Sequence, residues 1–161
     1  MLKKVLVWVF AAIGFIVVIV AGQVGKEVGK SAGNAAVPVQ VQPTEQQIDV
    51  AMMKDLSKAA AEINKKGAVM QDENSRMDGA TVGPGRRLTY NFSLVNFLAS
   101  DLEPNWLRQI QAPLLKSRVC GNKAMVSSMR YGVVYAYSYR DKGGLPIGVV
   151  EIKPSDCGIN N

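Results

Sequence analysis

Cys120 and Cys157 are the only cysteines of the chain, and the residues between them constrain the fold more than any other stretch. A short helix after Cys120 is followed by the alternating strand Val133-Val134-Tyr135-Ala136-Tyr137-Ser138-Tyr139-Arg140. The turn Asp141-Lys142-Gly143-Gly144 and a returning strand from Leu145 to Ile152 complete the stretch. A bond between the two sulfurs would staple this hairpin to the helix before it, which on the chain-entropy model contributes about 4 kcal/mol. Such a bond suits an oxidising compartment.

The N-terminus points the same way. Met1-Leu2-Lys3-Lys4 is followed by an unbroken apolar run from Val5 to Ala21, a length between a signal-peptide core and a spanning helix. The poor small-x-small pattern before Gly22 favours an uncleaved anchor, with release after cleavage near Gly22 as the alternative. Lys3 and Lys4 are balanced by Lys26 and Lys30, so the positive-inside count is tied, and the cysteine pair places the domain outside the cytoplasm. Gly25, Gly29 and Gly33 recur every four residues. They read as a flexible exit from the membrane, with anchor self-association as the other reading. Ser31 to Pro43 has no charge and two prolines, as a tether does.

The expected organisation is therefore a membrane segment at 1–22, a tether at 23–43 and a domain at 44–161. The location expected is the bacterial inner membrane, crossed once through residues 5–21, with the domain in the periplasm.

Within the domain, Thr44 and Gln47 make a capping box, and Ile48, Met52, Leu56, Ala59 or Ala60, and Ile63 follow at helical spacing until Lys65-Lys66-Gly67. Gln71 to Gly79 reads as a solvated loop. Asp72, Asn74 and Asp78 imitate a calcium loop there but lack its glycine and its terminal glutamate. Ala80 to Val82, a Gly83-Pro84-Gly85 turn and Arg86 to Asn96 form a hairpin with Leu88, Tyr90, Phe92 and Leu94 on one face. Ser100 to Val119 reads as two helical pieces divided at Pro113, and Asn122 caps a third carrying Met125 and Met129. The sum is an α+β domain, an antiparallel sheet of about four strands with three to four helices on one face.

Chemistry is constrained mainly by what is missing. The chain has no histidine, which removes His-assisted nucleophiles and most zinc sites. The net charge of +6 is scattered and falls short of a nucleic-acid footprint. No catalytic residue, metal, cofactor or small-molecule substrate is expected. Two features stand as candidate partner-binding surfaces. Tyr135, Tyr137 and Tyr139 share a strand face and either stack on a ligand or pack under the helices. Arg86 and Arg87 either bind an anionic group or cap a solvated turn.

The runs Met70-Gln71-Asp72-Glu73-Asn74-Ser75-Arg76-Met77-Asp78 and Leu88-Thr89-Tyr90-Asn91-Phe92-Ser93-Leu94, with Cys120, Tyr137-Ser138-Tyr139 and Asp156-Cys157, resemble small bacterial cell-envelope proteins of unknown function. The resemblance carries no catalytic residues. The function expected is a membrane-tethered envelope binding or assembly module with a protein partner. The alternatives are an immunity or inhibitor protein against a toxic enzyme, and a hydrolase using Asp72, Glu73 and Asp78 or Asp101 and Glu103.

Overall fold

The computed structural model describes residues 43–160. The segment expected to enter the membrane at 1–22, and the expected tether apart from Pro43, lie outside the described residues. Among the described residues no helix is long and apolar enough to cross a membrane.

Helix α1, Glu45–Lys65, starts where its capping box predicts. The Thr44 hydroxyl accepts from the Gln47 amide at 3.3 Å, and the Gln47 side chain accepts from the Thr44 amide at 2.9 Å. Two of the four orphan donors of the first turn are thereby satisfied. The helix buries Met52, Leu56, Ala60 and Ile63, the periodic face read from sequence. Burying each large side chain contributes about 1.5–3 kcal/mol, so this face rather than helix propensity holds α1 in place.

A five-stranded sheet lies under it: β1 Val69–Met70, β2 Ser75–Gly83, β3 Arg87–Leu94, β4 Val134–Arg140 and β5 Pro146–Ile152, in that spatial order. Three points correct the four-stranded antiparallel expectation. The two-residue β1 is an added edge strand. β2 begins at Ser75, inside the segment read as a loop, with Met77 buried. The hairpins β2–β3 and β4–β5 meet through a parallel pairing of β3 with β4. Parallel neighbours require a long crossover, and residues 95–133 provide it as the second helical layer.

That layer also departs from the expected break at Pro113. A 3-10 turn at Ala99–Asp101 leads to a π-helical turn, Leu107–Gln111, which runs directly into α2, Ala112–Gly121. Pro113 lies in the first turn of α2, where its missing N–H costs nothing, and the wider turn before it absorbs the ring. The Asn122 side chain accepts from the amides of Ala124 and Met125 and starts α3, Lys123–Met129. A 3-10 turn, Pro154–Cys157, closes the fold. Both helical layers bury their apolar residues in one core with the aromatic face of the sheet.

Candidate functional site

The three tyrosines proposed as a binding surface are core residues, which corrects that reading. Tyr135, Tyr137 and Tyr139 are 4%, 8% and 6% exposed. The β3–β4 register sets Leu88 against Tyr135, Tyr90 against Tyr137 and Phe92 against Tyr139, so the rings form a ladder under the helices. Tyr90 stacks on Tyr137 and Phe92 on Tyr139, both at 5.3 Å, and Trp106 meets Tyr139 edge-on at 5.7 Å. Stacked pairs of this kind add about 0.5–1.5 kcal/mol beyond burial. Burial pushes all four phenols above their ordinary pKa, so they stay neutral and act as packing groups. The Tyr135 hydroxyl pairs with Ser128 at 2.7 Å.

The two arginines are divided between opposite tasks. Arg86, at φ +56° in the β2–β3 turn, reaches Asp49 at 2.9 Å and Glu45 at 3.0 Å and donates to the Tyr131 carbonyl at 2.6 Å. Those hydrogen bonds, first to Asp49 and then to Glu45, raise its pKa further. Glu45 and Asp49 are well exposed, and exposed pairs contribute about 0–1 kcal/mol. The clasp therefore orients the start of α1 more than it stabilises it. Arg87 crosses the open face of the sheet to Glu151 at 2.8 Å. Ala136 sits between Thr89 and Glu151 in register and is 1% exposed; it belongs to this face, outside the common core.

Of the carboxylates weighed for calcium or hydrolysis, Asp72 and Asp101 hold local backbone amides, Asp78 pairs with side chains, and Glu73 and Glu103 are exposed. Asp72 accepts from the amides of Asn74 and Ser75 and from the Ser75 hydroxyl. Asp78 holds Arg76 at 2.6 Å and Ser93 at 2.5 Å on the open face. Asp101 accepts from the Leu98 amide. Asp72 and Asp78 thus belong to separate networks.

Asp141, read only as part of a turn, organises the opposite end of the sheet from α1's start. It is 2% exposed, and its carboxylate accepts from the amides of Leu145 at 2.8 Å, Gly143 at 2.9 Å and Ala99 at 3.2 Å. Lys142 donates to the Phe97 carbonyl at 2.9 Å. The β4–β5 turn and the exit of β3 are thereby locked together, and Phe97, Leu98 and Leu145 stand exposed at this tip, Leu145 at 64%.

Desolvation alone would push the Asp141 carboxyl up. The amides of Leu145, Ala99, Gly143 and Gly144 outweigh it and hold the carboxyl below its ordinary pKa. A depressed folded-state pKa gives stability that is present above the unfolded-state pKa and lost as pH falls through the folded value. Asp141→Asn is therefore expected to lower the melting temperature at neutral pH, because its amide would face the Ala99 N–H donor to donor. The gap from wild type should narrow as the solution becomes more acid than the ordinary carboxylate range. Melting curves across pH check this, and a gap independent of pH would contradict it.

The outer side of the second helical layer carries a different pattern. Leu115 and Val119 are buried, while Ile110 and Leu114, one turn apart, are 47% and 39% exposed. Arg108, Lys116, Ser117 and Lys123 are exposed on the same layer. Arg118 is partly buried within electrostatic reach of Tyr139 and Tyr137, and burial lowers its pKa. Cys120, at the end of α2, is joined to Cys157, with Cα atoms 5.2 Å apart.

No family model and no curated protein matches the chain. Solved structures share its fold. A Pseudomonas aeruginosa protein described as secreted aligns with a TM-score of 0.60 at 22% identity, over 68% of this chain and 96% of that one. EpsS, the pilotin of the Vibrio vulnificus type 2 secretion system, aligns with a TM-score of 0.53 at 12% identity, over 70% of this chain and 94% of that one. At these identities the likeness is one of fold.

Proposed function

We propose that this chain is a non-catalytic assembly protein of the bacterial envelope that binds a protein component of a secretion machine, as a pilotin serves its own system. The observation that carries the reading is the shared fold across 94% of the Vibrio vulnificus pilotin. The joined cysteine pair supports an oxidising location. Asp72 and Asp78 in separate networks, with Asp101 on the Leu98 amide, give no support to the hydrolase alternative.

In this reading residues 5–21 hold the chain in the inner membrane and residues 23–43 tether the domain in the periplasm. Helix α1, the first element after the tether, starts beside Arg86 at one end of the sheet. The apolar tip of Phe97, Leu98 and Leu145 lies at the other end, the end presented to a partner farther from the membrane.

A photo-crosslinking residue at Leu145 in living cells, combined with deletion of the gene, tests this. A cross-link from position 145 to a secretion-system component is expected, together with fewer assembled secretion complexes in the deletion strain. Unchanged complexes and no cross-linked component would overturn the assignment. Intact-mass measurement of the native chain separates the anchor from cleavage near Gly22.

A further inference from the structure

We infer that the outer face of the second helical layer is an interfacial surface that lays the domain against an anionic lipid bilayer. Two independent observations meet there. The first is charge: Arg108, Lys116 and Lys123 are exposed on this layer, and residues 104–140 contain no Asp or Glu. The second is shape and polarity: Ile110 and Leu114 stand one turn apart and exposed on the side away from the core, at 47% and 39%, with exposed Pro113, Lys116 and Ser117 beside them.

Apolar side chains projecting from a helix and flanked by cations are the arrangement of helices that lie in the headgroup plane. Isoleucine and leucine enter the acyl boundary, and the stems of Arg108, Lys116 and Lys123 run along it with their charges in the headgroup layer. Two apolar side chains give little affinity on their own, so the contact depends on anionic lipid and weakens with salt. α1 lacks this pattern: Val50 is exposed there, but Glu45, Asp49 and Glu62 stand with Lys54 and Lys58 on its exposed face. The joined cysteines and the Asn122 cap fix the end of the face at Lys123, so it is presented as a rigid surface.

The inference concerns lipid and is independent of the secretion partner proposed above. The full chain is reconstituted in nanodiscs of phosphatidylethanolamine with phosphatidylglycerol, and separately in phosphatidylcholine nanodiscs. A nitroxide at Ser117→Cys reports the face, and one at Glu62→Cys on α1 is the reference. Lys26 and Lys30 also respond to anionic lipid, so only a loss of access at Ser117 that the Glu62 label does not share belongs to this face.

The Ser117 label is expected to lose access to a water-soluble nickel reagent in the phosphatidylglycerol discs only, and to regain it at high salt. Arg108→Gln with Lys116→Gln should weaken that protection by about 25-fold, since each cation near an anionic surface contributes about five-fold. Ile110→Ser with Leu114→Ser should weaken it as well, with the fold kept, because both side chains stand outside the buried core. Equal nickel access at Ser117 in the two discs would overturn the inference. Protection that appears only when another protein is added would do so as well, and would assign the face to an acidic protein surface.

Discussion

Gly79→Ala is expected to lower stability by about 3 kcal/mol or more, through two effects at one atom. Gly79 has φ +151°, a backbone region that side-chain-bearing residues rarely enter. A Cβ placed there would stand 2.5 Å from Asn64 Oδ1, so Asn64 must move. That side chain has work to do on the strand beside it. Its Nδ2 donates to the Ala80 carbonyl at 2.9 Å, and its Oδ1 accepts from the Ala80 amide at 2.7 Å. The carboxamide thus pairs the edge of β2 as a neighbouring strand would, beyond the two residues where β1 reaches.

Ala80 is 2% exposed, and each buried backbone group left without its partner costs about 1–3 kcal/mol. Asn64→Ala should therefore be costly too. The double variant should lose less than the sum, because both changes remove the same pairing. Denaturant midpoints read from the fluorescence of Trp106 against Tyr139 check this. Additive losses would show that Gly79 and Asn64 act separately.

That contact also shows where sequence reading stops. The capping box at Thr44, the buried stripe of α1, the alternating face of β3 and the Asn122 cap are local patterns, written within a turn or a strand, and each is read directly from residue spacing. Asn64 and Ala80 are sixteen positions apart, and no periodicity links them. The parallel pairing of β3 with β4 is likewise a tertiary choice: each strand alternates correctly, yet alternation does not say which strand lies beside it or in which direction. The tyrosines of β4 were legible as one face, but a face that could be either core or platform is settled only by the layer above it. Asp141 carried a signal, an aspartate before Gly143-Gly144, which marks a turn whose carboxylate caps backbone amides. Its second task, holding Ala99 forty-two positions away, had none.

Replacing Cys120 and Cys157 together by serine is expected to cost about 2–5 kcal/mol, a large share of the roughly 5–15 kcal/mol that holds a domain of this kind together. The bond joins the end of α2 to the Pro154–Cys157 turn, and between those points the chain passes through α3, β4 and β5. Without the bond, the C-terminal turn is held by Ile159 against the core and by the Asp156 carboxylate on the Lys153 amide at 2.8 Å. The first is one partly buried side chain and the second lies within the turn itself, so this segment has few contacts left to hold it.

The loss should therefore be uneven. Amide exchange should quicken first in residues 153–160 and at the end of α2, while the β2–β3 pairing, held by α1 and Asn64, keeps its protection until global unfolding. Non-reducing peptide mapping of protein taken from the envelope should recover Cys120 linked to Cys157. The serine variant should then accumulate less in that compartment, since a fall of even about 1–2 kcal/mol in stability changes steady-state abundance several-fold. Free thiols in the native protein, or a double serine variant that unfolds at the same denaturant concentration as wild type, would remove both the staple and the argument for an oxidising location that rests on it.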